Sequence, residues 1–255
     1  MKIREIYEQL HCQIPPSLSC EWDNDGLMCC PDGEREVKRV LVTLDVTEKA
    51  VKYALEGGYD LIVSHHPLIF KGLRALSGED FLSEKVLTLI RSGIAVFSFH
   101  TRLDAVEGGV NDVLAGLLGL ERVTVFGNGD ETLGRIGELP CPMTADAFAE
   151  TVKHALDAPF VLLADAGLSV KRVAVLGGGG EDDIAAAKAA GADTYVTGEL
   201  KYHSLTDGPE AGMNLIAAGH FYTEFPVCRE LRRRLLALDP ALHCEIYFSN
   251  TVRTV

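Results

Sequence analysis

The segment from Arg39 to Ser64, RVLVTLDVTEKAVKYALEGGYDLIVS, decides the fold because it contains a strand, a helix and a second strand in succession. Its two apolar runs, RVLVTLD and DLIVS, are short and rich in β-branched residues, which is typical of buried strands. Thr47 is placed to cap the helix between them, and the Gly57–Gly58 pair is placed to end it. Strands joined through a helix run parallel, so the segment predicts an α/β protein.

Outward from this segment, apolar runs continue to alternate with helical patterns, with a turn-rich break at 127–130, GNGD. We therefore predict a two-lobed α/β protein whose mostly parallel sheets are flanked by helices. The break indicates that residues 125–210 form the second lobe. Residues 1–124 and 211–255 are then expected to form the first lobe, with a metal site at the C-terminal ends of its strands.

The composition restricts the location and the partners of the chain. A formal net charge of −13 repels nucleic acid phosphates and disfavours nucleic acid as a partner. No apolar run approaches the roughly 20 residues that span a bilayer, and the opening MKIREIYEQL lacks the apolar core of a signal peptide. The seven cysteines include no CxxC pair, which indicates reduced thiols. We expect a cytoplasmic protein without a membrane segment.

Histidines and carboxylates follow three of the predicted strands. In α/β sheets, ligands gather at the carboxyl ends of the strands, so we expect the three clusters to meet at one sheet edge. His220 and Glu224 are four residues apart and share a helix face if the helix that follows begins early. The clusters are SHHP at 64–67, HTRLD at 100–104 and GHFYTE at 219–224.

The donor atoms of these clusters suit divalent metal ions. Imidazole nitrogen and carboxylate oxygen together are a ligand set for Zn, Fe, Mn, Co or Ni. Two imidazoles, a bridging carboxylate and a second His/Glu pair suit two ions about 3.5–4 Å apart. The alternative is structural, with polar loop residues in the first two clusters and a helix cap in the third. The predicted ligands are His65, His66, Asp104, His220 and Glu224.

Three further motifs each have a functional and a structural interpretation. The Gly177–Gly180 run precedes a helix and could hold a phosphate, or could form a tight strand-to-helix turn. The TGELKYH segment at 197–203 places an acid, a base and a histidine at a strand end, either in a cleft or as structural residues. The DNDG segment at 23–26 resembles the start of a calcium loop but lacks the later Glu, which favours a turn.

Five motifs occur in order along the chain: WDNDGL (22–27), SHHPLIF (64–70), FHTRLDAVEGGVND (99–112), TGELKYH (197–203) and GHFYTE (219–224). Together they resemble the NGG-interacting-factor-three-like family, also labelled GTP cyclohydrolase I type 2 homologues. The resemblance implies a homohexameric toroid with metal pairs facing its interior, and metal contacts from the five residues named above. Arg102 stands where the family usually has Asn, in HTNLD, which puts in doubt any shared substrate contact at this position.

Two classes of function fit a pair of bound metal ions. The first is a metal-dependent hydrolase acting on GTP, as the family label implies, or on another nucleotide or phosphoester. His100, Glu199 and His203 are then the candidates for moving a proton to or from the substrate. The second is a non-catalytic metal-binding hexamer that acts as a scaffold, an adaptor or a metal carrier. A ligand set does not separate the two, because it says nothing about turnover.

Overall fold

A computed structural model describes residues 1–129 and 131–255, so Asp130 of the predicted break lies outside the described residues. Across the described ranges, no helix is both long and apolar enough to cross a membrane. The helices are α1 (Ile3–Gln13), α2 (Glu48–Glu56), α3 (Phe81–Ser92), α4 (Thr101–Ala105), α5 (Val110–Leu117), α6 (Ala145–Ala155), α7 (Ile184–Ala189), α8 (Tyr202–Glu210), α9 (His220–Glu224) and α10 (Val227–Leu238). The strands are β1 (Gly26–Cys29), β2 (Arg39–Thr43), β3 (Leu61–Ser64), β4 (Ala95–Ser98), β5 (Glu121–Asn128), β6 (Glu131–Met143), β7 (Leu162–Ala164), β8 (Val170–Leu176), β9 (Thr194–Thr197), β10 (Asn214–Ala217) and β11 (His243–Tyr247).

The first of two compact units consists of Met1–Val106 and Val227–Arg253. Its sheet has the order β1-β4-β3-β2-β11, in which β1 pairs antiparallel with β4 and the other neighbours pair parallel. Side chains of α2 and α3 pack on one face of this sheet, where they share a core with residues of β2, β3 and β4. This unit therefore confirms the mostly parallel sheet expected from the opening segment.

Local sequence accounts for the ends of the first crossover helix. The Thr47 hydroxyl accepts a hydrogen bond from the Ala50 backbone N–H at 3.1 Å, which caps α2 as its position predicted. Gly57 follows the last residue of α2, and the chain then turns into β3. All four residues of β3 are buried, which explains why three apolar residues, LIV at 61–63, follow one another instead of alternating with polar ones.

The second unit consists of Glu107–Pro226 and Thr254–Val255. Its sheet has the order β5-β6-β8-β9-β10-β7 and is mixed, because β8, β9 and β10 pair parallel while the remaining neighbours pair antiparallel. Helices α5 and α6 contribute Leu114 and Phe148 to the core on one face. Helix α7 contributes Ala187 to a second core, which includes Tyr195 of the neighbouring strand β9.

The compact units differ from the predicted lobes at 107–124, 211–226 and the last two residues, 254–255, which all belong to the second unit. Strand β10 explains the second segment, because it pairs with β9 on one side and β7 on the other. Helix α5 explains most of the first, because its apolar face lies in the core of the second unit. The GHFYTE cluster thus follows a strand of the second sheet, while SHHP and HTRLD follow β3 and β4 of the first. The expectation of one shared sheet edge was therefore wrong.

The helix predicted over 223–238 is divided into α9 and α10. Pro226 stands between them, and a proline has no backbone N–H to continue the helical hydrogen bonds. Helix α9 begins at His220, so the early start on which the His220 and Glu224 alignment depended is confirmed. Pro226 is also the point at which the chain leaves the second unit.

Candidate metal ligands in two groups

The SHHP loop is held in place by the strands beneath it. Ser64 pairs with Ser98 in the parallel ladder of β3 and β4, and their hydroxyl oxygens are 2.8 Å apart. The Ser64 hydroxyl also donates to the His66 carbonyl at 2.8 Å, which turns the chain sharply. The His65 backbone N–H donates to the Thr43 carbonyl of β2 at 3.3 Å. Two polar loops therefore leave adjacent strands side by side, as the sequence predicted for this pair.

His65, His66 and His100 form a three-histidine group in the first unit. Their candidate ligand atoms all lie within 4.8 Å of one another. Each Nδ1 is within hydrogen-bond distance of an oxygen that accepts, so each Nδ1 is the donor and each Nε2 carries the lone pair. In His65 and His66 this lone pair suits a metal ion, and in His100 it can accept a proton or a hydrogen bond. The acceptors are the Phe99 carbonyl at 2.9 Å from His65, Asp45 Oδ1 at 2.7 Å from His66 and Asp23 Oδ1 at 2.9 Å from His100.

Asp104 adds a carboxylate to this group. It lies in α4, whose first turn begins directly after His100, and its backbone N–H donates to the His100 carbonyl at 3.2 Å. Its Oδ1 is 3.7 Å from His65 Nε2, and the side chain is 11% exposed. The first unit thus brings together three of the predicted ligands, His65, His66 and Asp104, with the predicted proton carrier His100.

The carboxylates of Asp23 and Asp25 accept hydrogen bonds from the HTRLD loop, a role beyond the turn that the sequence favoured for the DNDG segment. Asp23 Oδ2 accepts from the Thr101 backbone N–H at 3.0 Å and from its hydroxyl at 2.6 Å. Burial raises the pKa of Asp23, but hydrogen bonds from His100 and Thr101 outweigh burial and lower the pKa to about 2. Asp25 Oδ2 accepts from the His100 backbone N–H at 3.0 Å. The WDNDGL segment is therefore a support for the loop that carries His100 and Asp104.

Arg102 is turned into the protein. Its side chain is 1% exposed, and its Nε donates to Asp25 Oδ2 at 3.0 Å. Its Nη1 donates to the Ile14 carbonyl at 3.2 Å, and the guanidinium lies 4.9 Å from the centroid of the Phe99 ring. Gly26 suits the position beside it, because its φ of +107° is rarely adopted by residues with a side chain and a Cβ would lie 2.6 Å from Arg102 Nη2. Arg102 therefore acts as a buried structural cation.

The second unit holds the remaining two predicted ligands as a His220–Glu224 pair. They lie one turn apart on α9, with His220 Nε2 at 3.1 Å from Glu224 Oε2. The Glu224 side chain is 5% exposed, whereas that of His220 is 37% exposed. The arrangement offers one nitrogen and one carboxylate oxygen on the same side of one helical turn.

The Gly177–Gly180 loop is shaped around this pair. A Cβ on Gly178 would lie 2.2 Å from Glu224 Oε1, and Gly178 has a φ of +69°, a region that side chains rarely adopt. The Gly178 backbone N–H donates to the Thr223 hydroxyl at 3.1 Å. A phosphate near Gly178 would meet the Glu224 carboxylate, so the geometry favours the interpretation as a tight turn.

The TGELKYH segment separates its three polar residues. Glu199 Oε1 is 3.5 Å from His220 Nδ1, and the Glu199 side chain is 66% exposed. Lys201 forms an ion pair with Glu181 instead of Glu199. His203 lies in the first turn of α8, where it is exposed and its ring is 6.0 Å from that of Tyr202. The structure thus brings Glu199 to a predicted ligand, and none of the contacts described for His203 does the same.

Two carboxylates of the site went unrecognised in the sequence. Asp45 holds His66, and its Oδ2 accepts from the Ser249 hydroxyl at 3.1 Å. Since Asp45 ends the RVLVTLD run, the strand-end rule that selected His65 could have found it. Asp23 holds His100 across 77 positions of sequence, and a local motif gives no signal for such a contact.

The comparisons with known proteins cover nearly the whole chain. A family model, Duf34/NIF3 (NGG1p interacting factor 3), matches residues 1–254. A "GTP cyclohydrolase 1 type 2 homolog" of Clostridium perfringens is 34% identical over 232 residues, which cover 89% of this chain and 88% of that protein. The "Protein NIF3 homolog" of Schizosaccharomyces pombe is 32% identical over 252 residues, covering 92% and 88%. The crystal structure of a Bacillus cereus protein related to NIF3 superposes with a TM-score of 0.88 at 25% identity, covering 100% of this chain and 99% of that one.

Proposed function

Because the chain belongs to the Duf34/NIF3 family, we propose that it is a metal-dependent hydrolase with two divalent ions per subunit, acting on GTP or another nucleotide or phosphoester. The observation that carries the proposal is the three-histidine group, in which each Nδ1 is hydrogen-bonded to an acceptor and the candidate ligand atoms lie within 4.8 Å of one another. The name of the Clostridium perfringens relative supports the choice of GTP.

The donor set fits divalent ions of the Zn, Fe, Mn, Co or Ni type. Imidazole nitrogens with fixed tautomers and carboxylate oxygens are the ligands these ions take, and carboxylates that orient ligating histidines are a regular feature of such sites. Asp45 performs this orienting role at His66. The proposed ligands are His65, His66 and Asp104 of the first unit and His220 and Glu224 of the second.

Two bound divalent ions supply Lewis acidity and lower the pKa of water at the site. The protein residues proposed to carry protons are His100, Glu199 and His203. His100 is the best placed, because Asp23 holds its Nδ1–H and leaves Nε2 able to take up a proton. Glu199, exposed and at 3.5 Å from His220 Nδ1, can exchange protons with solvent.

Metal content tests the first part of the proposal. We expect close to two divalent ions per chain in protein purified without chelator, measured by elemental analysis. His65→Ala should lose most of the bound metal, because His65 is fully buried and its Nε2 is a proposed ligand atom. The control is His154→Ala, since His154 is 81% exposed on α6 and should leave the stoichiometry unchanged. A stoichiometry near zero after reconstitution would contradict the proposal.

A second variant separates proton transfer from metal binding. Glu199→Gln keeps an oxygen that can accept from His220 Nδ1–H but cannot carry a proton. We expect both ions to be retained and turnover to fall by about 10²–10⁴-fold, measured over a panel of nucleotides and phosphoesters. Loss of metal would make Glu199 a ligand, and unchanged turnover would make the segment structural. No turnover by the metal-loaded parent would favour the non-catalytic scaffold.

A further inference from the structure

Three aromatic rings meet at the rim of the three-histidine group. The ring of Trp22 is 6.2 Å from that of Phe70 and 6.2 Å from that of His100, and the Phe70 and His100 rings are 6.0 Å apart. The rings are steeply inclined to one another, at 68°, 79° and 89°. Despite these contacts, Trp22 is 57% exposed and Phe70 is 44% exposed. We refer to Trp22, Phe70 and His100 as the aromatic corner.

Hydrogen bonds fix the loops that carry the aromatic corner. Trp22 precedes Asp23, whose carboxylate accepts hydrogen bonds from Thr101 and His100. The Asn24 side chain amide donates to the carbonyl of Ile69, the residue before Phe70. Aromatic side chains on loops that are fixed by such hydrogen bonds present ordered faces to solvent. A ligand that stacks on them therefore binds without a large entropic cost for ordering the protein.

The polar member of the corner restricts the class of ligand. Because Asp23 accepts from His100 Nδ1, the His100 Nε2 carries a lone pair and can accept a hydrogen bond. A saturated apolar group would leave this nitrogen without a hydrogen bond, whereas a flat ring with N–H or amino groups at its edge can stack on Trp22 and donate to His100. Any planar ring can stack on an aromatic face. The N–H donor at the edge of the ligand therefore decides which planar rings bind, because it can form the hydrogen bond to His100.

We propose that the aromatic corner is a binding subsite for a planar nitrogen heterocycle that bears N–H donors, such as a guanine base, stacked on Trp22, in edge contact with Phe70, and with its donor edge toward His100. The assignment of this ring to a substrate rests on the proposed function, whereas the binding itself does not. It identifies Trp22 and Phe70 as residues that bind the ring and His100 as the residue that selects among planar rings.

The chain contains a single tryptophan, so its fluorescence reports on this subsite alone. Guanosine should quench it saturably in the purified full-length protein, both as prepared and after chelation, while ribose should not. Guanosine has no phosphate to attract a metal ion, and persistence of quenching after chelation separates stacking from coordination. Absence of saturable quenching by guanosine would overturn the proposal, and so would stronger quenching by choline, which would indicate a site for cations.

Variants locate the binding. Phe70→Ala and Trp22→Ala should each weaken guanosine binding by about 5- to 100-fold, measured by equilibrium dialysis. Trp22→Phe keeps an aromatic face, so its affinity for guanosine should stay within about threefold of the parent protein's. The control is Phe81→Ala, since Phe81 is 77% exposed in the same unit and contacts Lys85 rather than His100. Unchanged affinity in Trp22→Ala and Phe70→Ala would overturn the proposal, as would a change of oligomeric mass in Trp22→Ala, which would mean that a second copy covers the corner.

These outcomes are independent of the proposed function. A protein that retains two metal ions and turns over a substrate but shows no saturable guanosine quenching would refute the aromatic subsite alone. A protein that binds guanosine at the corner and holds no metal would refute the metal-dependent hydrolase alone.

Discussion

At the scale of single residues, tertiary partners decide what a side chain does. Arg102 sits in the motif that also contains His100 and Asp104, yet it is buried against Asp25 and Phe99. A cation at this depth is tolerated because the carboxylate neutralises it and the Ile14 carbonyl takes a further N–H. The Arg102–Asp25 ion pair therefore gives a structural reason for Arg at the position where the family usually has Asn. Arg102 is not needed for the chemistry of the site.

Removing that cation should be costly. In Arg102→Met, Asp25 stays buried, and its remaining donors among the described residues are neutral, the Ser19 hydroxyl and the His100 backbone N–H. We expect the free energy of unfolding to fall by about 3–5 kcal/mol, measured by urea denaturation. Arg233→Met is the control, because Arg233 is 67% exposed and its pair with Glu230 should contribute at most about 1 kcal/mol. A loss below that of the control would show that Asp25 is not stabilised by Arg102.

At the scale of secondary-structure elements, short segments position the chemical groups. Helix α9 has five residues, and it places His220 and Glu224 on the same side of one turn before Pro226 ends it. The glycine loop after β8 passes so close to Glu224 that a side chain on Gly178 has no room. The loop and the helix therefore depend on each other, and Gly177 and Gly178 permit this close approach.

The two central glycines of the loop provide a matched test of this dependence. Gly178→Ala adds a Cβ at 2.2 Å from Glu224 Oε1 and strains a backbone with a φ of +69°. We expect a loss of about 1–3 kcal/mol in the free energy of unfolding and reduced metal content, because Glu224 must move. Gly179→Ala meets no atom within 4 Å and should leave metal content unchanged. Equal metal content in both variants would contradict the proposed role of Glu224.

At the scale of the whole molecule, the chain builds two α/β units, each with its own buried core. None of the seven cysteines, all of which lie in the described ranges, forms a disulfide, so neither unit depends on one. The 27.6 kDa chain carries a net charge of −13, which opposes close association of copies unless apolar or paired surfaces offset the repulsion. Any oligomer of this chain must therefore bury apolar or ion-paired surface to offset the repulsion between its acidic copies.

We predict a homohexamer, on the basis of the family resemblance. Light scattering coupled to size exclusion at micromolar concentration should give six times the 27.6 kDa chain mass. Raising the salt concentration should strengthen the assembly if repulsion between acidic copies opposes it, because added ions screen exposed charges. A mass equal to one chain at both salt concentrations would contradict the prediction.

The sequence by itself determined the elements and most of the local chemistry. Apolar runs such as DLIVS predicted buried strands, Thr47 predicted a helix start, and polar residues directly after β3 and β4 predicted a group that includes His65 and His100. These inferences succeeded because burial, capping and the strand-end rule depend on residues near one another in the chain.

Only the tertiary structure decided which distant segments pair. It placed β10, and with it His220, in the second sheet, and it joined Asp23 to His100 and Asp25 to Arg102. Strand pairing and ion pairs of this kind depend on hydrogen bonds and burial between residues that are remote in sequence. The local pattern of apolar and polar residues therefore cannot predict them. The DNDG segment, interpreted from its sequence as a turn, and Arg102, whose role the sequence left open, both have hydrogen-bond partners more than 70 residues away.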